Sequence, residues 1–127
     1  MSDPATYPVR LADEITRRLG QLADHLSQLA PPQAAQVIAR VLDPDAGVLA
    51  GVTHLVATGS VFAKDQAEQG ALPAEVWLAL GRASNELYDI SLDLDEHQDT
   101  LQRVAAQPAA ATAKLPVPAP LVVRRRR

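Results

Sequence analysis

The three histidines of the chain, His25, His54 and His97, are the side chains best able to exchange protons near neutral pH. His25 follows Asp24, but sequence neighbours do not face each other on a helix. No spacing joins a histidine to a serine and an acid in the manner of a nucleophilic site. We therefore predict no catalytic residue, and we expect the chain not to be an enzyme.

Six acidic side chains lie between residues 86 and 99 with no basic residue among them. Of these, Asp89 and Asp93 stand eight and four residues before His97, so the three could share one helix face and hold a metal. The Glu-x-x-His pattern of carboxylate-bridged iron bundles is missing, because Leu94 stands three residues before His97. A solvated acidic face that could receive a basic partner is the favoured interpretation, and no metal or cofactor is predicted.

The charge of the chain is divided between an acidic body and a basic tail. Residues 1–107 carry seven basic and fifteen acidic side chains, whereas residues 108–127 carry only basic ones, namely Lys114, Arg124, Arg125, Arg126 and Arg127. The four arginines follow Leu121-Val122-Val123, and together they could bind nucleic acid, an anionic membrane surface or an acidic protein face. The alternative is a solubilising chain end without a partner.

Composition and periodicity predict an all-α fold, a helical bundle of three long helices plus one short helix. The last of the long helices, the fourth in the chain, is coiled-coil-like, and a disordered Pro/Ala-rich basic tail follows it. Apolar residues make up 47% of the chain but aromatic residues only 3%, which favours closely packed helices over a sheet. Cysteine is absent, which excludes disulfides and thiolate metal sites. The predicted regions are a flexible N-terminus at 1–7, a helical bundle domain at 8–107 and a Pro/Ala-rich tail at 108–127.

The first two predicted helices run from about Pro8 to Ala30 and from about Pro32 to Leu42, separated where Pro31 disfavours helical backbone before it. One apolar stripe follows the first helix at spacings of four and three residues. Its members are Leu11, Ile15, Leu19, Leu22, Leu26 and Leu29. Gly20 lies inside this helix, where it either weakens the helix or admits a close neighbour.

The third predicted helix runs from about Pro44 to Gln69, with Asp43 as its cap and Gly70 as its end. Residues 46–63 carry no formal charge, a length that touches the threshold for a membrane span. Glycines and hydroxyl residues dilute this run, so we expect a buried central helix. Gly47 and Gly51 form a pair of small residues that is typical of close backbone contact.

The fourth predicted helix runs from Pro73 to Gln107 and carries a strict heptad repeat. The a positions are Leu80, Leu87, Leu94 and Leu101, and the d positions are Val76, Ala83, Ile90, His97 and Val104. At about 1.5 Å per residue this helix would be about 50 Å long and would overhang its neighbours. The expected interface of a homodimer is therefore Leu80, Leu87, Ile90, Leu94, His97 and Leu101. His97 would specify register or respond to pH there, or simply reach water near the end of the bundle.

These features favour a non-enzymatic, self-associating adaptor or accessory protein that acts through protein–protein interaction. The alternative is a nucleic-acid-associated regulator that uses the arginines of the tail. A cytoplasmic location is expected, because the first residues show neither a basic region nor an apolar run. Ten arginines against two lysines suggest a bacterial, GC-rich source.

Overall fold

The computed structural model describes residues 6–108, and within that range it contains five α-helices and no strand. The helices are α1 (Thr6–Leu26), α2 (Pro31–Val41), α3 (Val48–Glu68), α4 (Ala74–Asp95) and α5 (Gln98–Ala105). The all-α prediction is confirmed for this part of the chain. Thr6 and Tyr7, predicted as part of a flexible N-terminus, belong to α1, whereas the tail beyond Pro108 lies outside the described residues.

Two helix pairs account for most of the packing. α3 and α4 form an antiparallel hairpin with the largest interface, and the short helices α2 and α5 pack against each other. α2 also touches α3, whereas α1 makes hardly any contact with the other four helices. The long helix α1 is therefore the least covered element of the fold.

The joint between α1 and α2 is a hydrogen-bonded turn. α1 ends at Leu26, earlier than the sequence predicted, and the Ser27 hydroxyl donates to the Asp24 carbonyl oxygen at 2.8 Å. Such local bonds compete with the helical ladder and favour its end. The N–H of Gln28 then donates to the His25 carbonyl oxygen at 3.0 Å, and α2 starts at Pro31, which suits a first helical position.

The joint between α2 and α3 is a tight turn capped by Asp43. Its carboxylate accepts hydrogen bonds from the backbone N–H groups of Asp45 (2.8 Å) and Ala46 (2.9 Å). These bonds lower the pKa of Asp43, with a smaller contribution from the charge of Arg40. Asp43 was predicted to cap the third helix, but its side chain caps this turn instead. α3 itself begins four residues later than Pro44, at Val48, and Gly47 is its N-cap residue.

Gly47 holds the same turn against the end of α2. A Cβ atom on Gly47 would lie 2.5 Å from the Val41 carbonyl oxygen and 2.7 Å from that of Arg40. The predicted close contact is thus present at Gly47. It is absent at Gly51 and at Gly20, where an added Cβ would meet nothing within 4 Å.

Gly70 ends α3 as the sequence predicted. It adopts a φ of 82°, in the left-handed region that glycine occupies without strain. The N–H of Ala71 donates to the Gln66 carbonyl oxygen at 2.8 Å, and that of Gly70 to the Ala67 carbonyl oxygen at 3.0 Å. This is the Schellman pattern, which satisfies the last carbonyls of the helix and turns the chain back into α4.

The predicted fourth helix is two helices, because α4 ends at Asp95 and α5 begins at Gln98. The N–H of His97 donates to the Leu94 carbonyl oxygen, only three residues back, at 3.0 Å. Asp93 and Asp95 place negative charge at the C-terminal end of α4, where the helix dipole opposes it. A continuous coiled-coil spine through residue 107 was therefore a wrong prediction.

The break removes the length argument for a dimer. α4 has 22 residues and α1 and α3 have 21 each, so all three are about 32 Å long at 1.5 Å per residue. The fourth helix does not overhang its neighbours. Any case for self-association has to come from the surface of the chain.

α5 is held on α2 by a capping contact. The Gln98 side-chain amide donates to the Ala39 carbonyl oxygen at 3.1 Å. This carbonyl belongs to the last turn of α2, where the helix itself offers no partner. Ala35 and Ala39 are buried at the contact, and Leu101 and Val104 lie half-buried on α5. The second part of the predicted heptad seam is thus covered by α2.

We predict that Gly47→Ala lowers the free energy of unfolding by about 1–3 kcal/mol, because its Cβ meets backbone oxygens that cannot move cheaply. Urea unfolding followed by circular dichroism measures the change. Gly20→Ala is the matched control, and its effect should range from neutral to a gain of about 1 kcal/mol. A Gly47→Ala variant as stable as the native chain would contradict this account of the turn.

Asp43 should make stability depend on pH. Its folded-state pKa lies below the ordinary value of 3.8, so its ionised form contributes stability that is fully present above that value and is lost as pH falls through the folded-state pKa. Asp43→Asn keeps an acceptor oxygen and cannot ionise. The stability difference between native chain and variant should therefore shrink in acid, and a difference that is constant from neutral pH to pH 2.5 would contradict the assignment.

Candidate protein interaction surfaces

Very little apolar side-chain volume is buried within the described part of the chain. The buried apolar residues there are Ala35, Ala39 and Ala63. Fourteen large apolar residues are exposed: Tyr7, Val9, Leu11, Ile15, Leu19, Val48, Leu55, Val61, Phe62, Val76, Leu78, Tyr88, Ile90 and Leu92. Scattered exposed leucines are normal, so the question is whether these residues form contiguous patches.

The register of the α3–α4 hairpin is fixed by a crossing of small residues. The Ser60 hydroxyl donates to the Trp77 carbonyl oxygen at 3.1 Å. A Cβ on Gly81 would lie 3.4 Å from the Ser60 hydroxyl oxygen, and one on Gly59 would lie 3.9 Å from a Leu80 methyl carbon. Ala63, at 2% exposure, is the most buried of the alanines. The two helices therefore approach closely at this point.

Trp77 lies half-buried at the same crossing. The ammonium of Lys64 lies 5.6 Å from the centroid of its ring. A cation over an indole face is attracted by the ring quadrupole. Lys64 and Trp77 therefore lie on the same side of the hairpin.

From this crossing, seven-residue steps in opposite directions along the two antiparallel helices bring apolar residues together on one side. In the register fixed by Ser60 and Trp77, helical spacing places Phe62 level with Val76, Leu55 with Ala83, and Val48 with Ile90. We call these six residues the hairpin face. Leu55 is 62% exposed, Phe62 61% and Ile90 47%, so a row of apolar pairs along the hairpin faces outward.

The N-terminal half of α3 borders a groove towards α1. This groove has a volume of about 490 Å³, and its lining is almost wholly apolar. It is lined by Ile15, Val48, Gly51, Val52, His54, Leu55 and Thr58. Since Val48 and Leu55 belong to it, the groove is continuous with the hairpin face.

α1 itself presents an apolar stripe to solvent. Leu11, Ile15 and Leu19 are each more than 40% exposed, and Leu22 and Leu26 are half-buried. Polar residues cover the rest of the helix, and beside the stripe Glu14 pairs with both Arg17 and Arg18. A helix of this amphipathic kind ordinarily lays its stripe on another apolar surface.

A second cleft, of about 400 Å³, opens on the other side of the hairpin. His54, Asp45, Asp95 and Tyr88 contribute its polar groups. Two hydroxyls in its wall are engaged with their own helices: Thr53 donates to the Leu49 carbonyl oxygen (2.8 Å) and Ser91 to that of Leu87 (2.9 Å). Within the described residues no hydrogen bond joins the His54 imidazole to an acid or a hydroxyl, so the cleft shows no arrangement of base and nucleophile.

The structure separates the six residues predicted as a dimer interface. Leu80, Leu87 and Leu94 are half-buried on the side of α4 that faces α3, and Leu101 is half-buried on α5. Ile90 remains exposed in the hairpin face. His97 lies exposed in the turn between α4 and α5, where a role in setting coiled-coil register has no helix to act on. Dimerisation through these residues stays a prediction, and Ile90 is the one that remains best placed for it.

The acidic residues of α4 and α5 form an exposed face. Between residues 6 and 108, ion pairs occur only within α1, and no group of three histidine or acidic side chains is placed to hold a metal ion. The predicted partner-binding residues Arg124 to Arg127 lie outside the described residues. No helix of residues 6–108 combines the length and apolar character that crossing a membrane requires.

Sequence reasoning missed the α3 half of the hairpin face. Val48, Leu55 and Phe62 stand seven residues apart in the uncharged helix. This repeat is visible in the sequence, but the helix was predicted to be a buried central one. The structure corrects that prediction, because α3 is covered mainly on the side towards α4 and only Ala63 is buried along it.

Comparisons of the chain with protein-family models, curated proteins and solved structures find no match. The geometry and chemistry of its own surfaces therefore have to support any functional argument. Those surfaces are the hairpin face, the α1 stripe and the second cleft.

Substitutions at Ala63 and Val61 test the close crossing of α3 and α4, because the two residues should differ in their effect on stability. Ala63→Leu should lower the free energy of unfolding by about 1–3 kcal/mol, because the added volume forces the two helices apart. Val61→Leu, two residues away and 63% exposed, should stay within about 0.5 kcal/mol of the native chain. Thermal and urea unfolding compare the two. Equal effects of both substitutions would show that the crossing is not set by small residues.

Proposed function

We propose that this chain is a non-enzymatic, self-associating helical adaptor or accessory protein that acts through protein–protein contacts. The observation that carries the proposal is the pair of apolar surfaces, the hairpin face and the α1 stripe, on a chain that buries only three alanines as its apolar core between residues 6 and 108. Exposed patches of this kind, bordered by charge, are typical of association surfaces.

Association would bury apolar side chains that the fold leaves exposed, and the free energy involved is large. Burying a large aliphatic or aromatic side chain is worth about 1.5–3 kcal/mol relative to leaving it exposed. The exposed large residues of the hairpin face and of the α1 stripe are partly covered already, so their further burial would contribute on the order of 10 kcal/mol for each chain. That amount is comparable with the whole stability of an ordinary domain. Association therefore offers this chain a stabilisation that its internal packing does not supply.

The charges of the chain support association with a defined partner rather than indiscriminate aggregation. Glu86, Asp89 and Asp93 share one exposed side of α4, bordering the hairpin face. Charges at the rim of an apolar patch repel unsuitable partners and restrict orientation. A second copy of the chain is the simplest partner, because most soluble oligomers are built from identical subunits.

Light scattering behind a sizing column tests the proposal. The native chain should have a mass about twice its 13.5 kDa, with dissociation on dilution. The double variant Leu55→Asp, Phe62→Asp should be a folded monomer, because both side chains are exposed and charge on the hairpin face opposes its burial.

Asn85→Asp is the matched control, since it adds one charge without changing volume on an exposed position of α4 outside the hairpin face. It should leave the mass unchanged. A native chain that is monomeric at every concentration would remove the main support for the proposal.

A further inference from the structure

α1 is an amphipathic helix whose apolar stripe is hardly packed against the other helices. Its stripe is apolar over its whole length, its residues are exposed or half-buried, and it makes hardly any contact with the other helices. A free helix of 21 residues is only marginally stable in water, since most helical stability in proteins comes from packing of the apolar face. The fold therefore leaves this helix without the packing that would stabilise it.

The hairpin face is an exposed apolar surface with the spacing that a docked helix needs. It consists of three apolar pairs at seven-residue spacing, which is the spacing with which a third helix packs along two others. It also joins the apolar groove beside α1, and Gly51 in that groove leaves open space in which another backbone could approach closely. The surface is thus shaped to receive one long amphipathic helix.

The chain's own α1 does not fill this groove. Ile15 is the residue of α1 that lines the groove, and a volume of about 490 Å³ remains open there. The position of α1 is set by two hydrogen-bonded joints. One is the turn after Leu26, and the other is the Asp43 turn, which Gly47 locks against the end of α2. Closing the gap within one chain would require at least one of these joints to open.

We infer that the occupant of the hairpin face is the α1 stripe of a second copy, bound reciprocally, so that a two-fold dimer exchanges its α1 helices. This inference rests on the proposed function and specifies its interface. The lengths match, since α1 and α3 both have 21 residues. A two-fold arrangement buries both unpartnered surfaces of both chains with one kind of contact, and two helix-on-hairpin contacts suit a stable interface of about 1,600 Å² in total.

Charge complementarity supports the same occupant. In α1 the single carboxylate of Glu14 serves two guanidinium groups, those of Arg17 and Arg18. Along the border of the hairpin face, Glu86 and Asp93 of α4 are exposed and form no ion pair within residues 6–108. Rim charges of opposite sign favour one orientation of the docked helix and add little affinity of their own.

Complementation between two defective chains tests the exchange. Leu19→Asp disables the α1 stripe, and Leu55→Asp disables the hairpin face. Each variant alone should be monomeric, because both of its two helix-on-hairpin contacts contain a defect. An equimolar mixture should form a heterodimer, since the intact α1 of the Leu55→Asp chain meets the intact face of the Leu19→Asp chain. Light scattering, with an affinity tag on one chain only, measures this.

The outcomes separate the inference from the proposed function. If the native chain is a dimer but Leu19→Asp remains one, α1 is outside the interface and the exchange is wrong while self-association stands. A mixture that stays monomeric likewise overturns the exchange. A monomeric native chain overturns both. Gln21→Asp, exposed on the polar side of α1, should leave the native dimer intact.

A milder pair of variants guards against loss of folding, which circular dichroism monitors throughout. Leu19→Ala and Leu55→Ala retain helix-forming residues at both exposed positions. Each should raise the dissociation constant of the dimer more than tenfold, because truncating a buried leucine costs more than the 1.4 kcal/mol that a tenfold change requires. Unchanged dissociation constants for both variants would overturn the inference.

Discussion

The close approach of α3 and α4 at Gly59, Ser60 and Gly81 is the constraint from which the rest of the structure follows. Because small residues occupy the crossing, the two backbones meet tightly there. Leu55, Phe62 and Ile90 remain exposed on one side of the hairpin. A crossing of larger residues would have enclosed part of that apolar surface between the helices. Here the same residues form an outward apolar face, which is why the fold and the proposed association have one origin.

Local chemistry predicted the ends of several elements. Gly70 ends α3 through its left-handed conformation, and the prolines at 31 and 32 separate the first two helices. Asp43 caps the turn before α3 and not the helix itself. These signals act within a few residues and depend on backbone geometry alone. They specified an all-α chain and most helix boundaries to within a few residues, without reference to what each helix packs against.

The identity of the packing partners was beyond such signals. The heptad from Leu80 to Leu101 is real, but two different helices of the same chain partly cover its leucines, α3 up to Leu94 and α2 beyond the break at His97. A repeat shows that a partner exists and does not say which one. The Gln98–Ala39 contact, which joins residues far apart in the chain, has no local signature. The α3 half of the hairpin face can be recognised in the sequence as a seven-residue repeat. The lack of charge over residues 46–63 nevertheless favoured the prediction of a buried central helix.

Hydrogen exchange of the α1 amides at low and high protein concentration tests the central claim most directly, namely that this chain buries its apolar surface against a second copy. α1 makes hardly any contact with the other four helices of residues 6–108, so its amides should exchange rapidly in the dilute monomer. At concentrations that favour the dimer they should become strongly protected, while α2 and α5 change little. Protection of α1 that is the same at both concentrations would contradict the account.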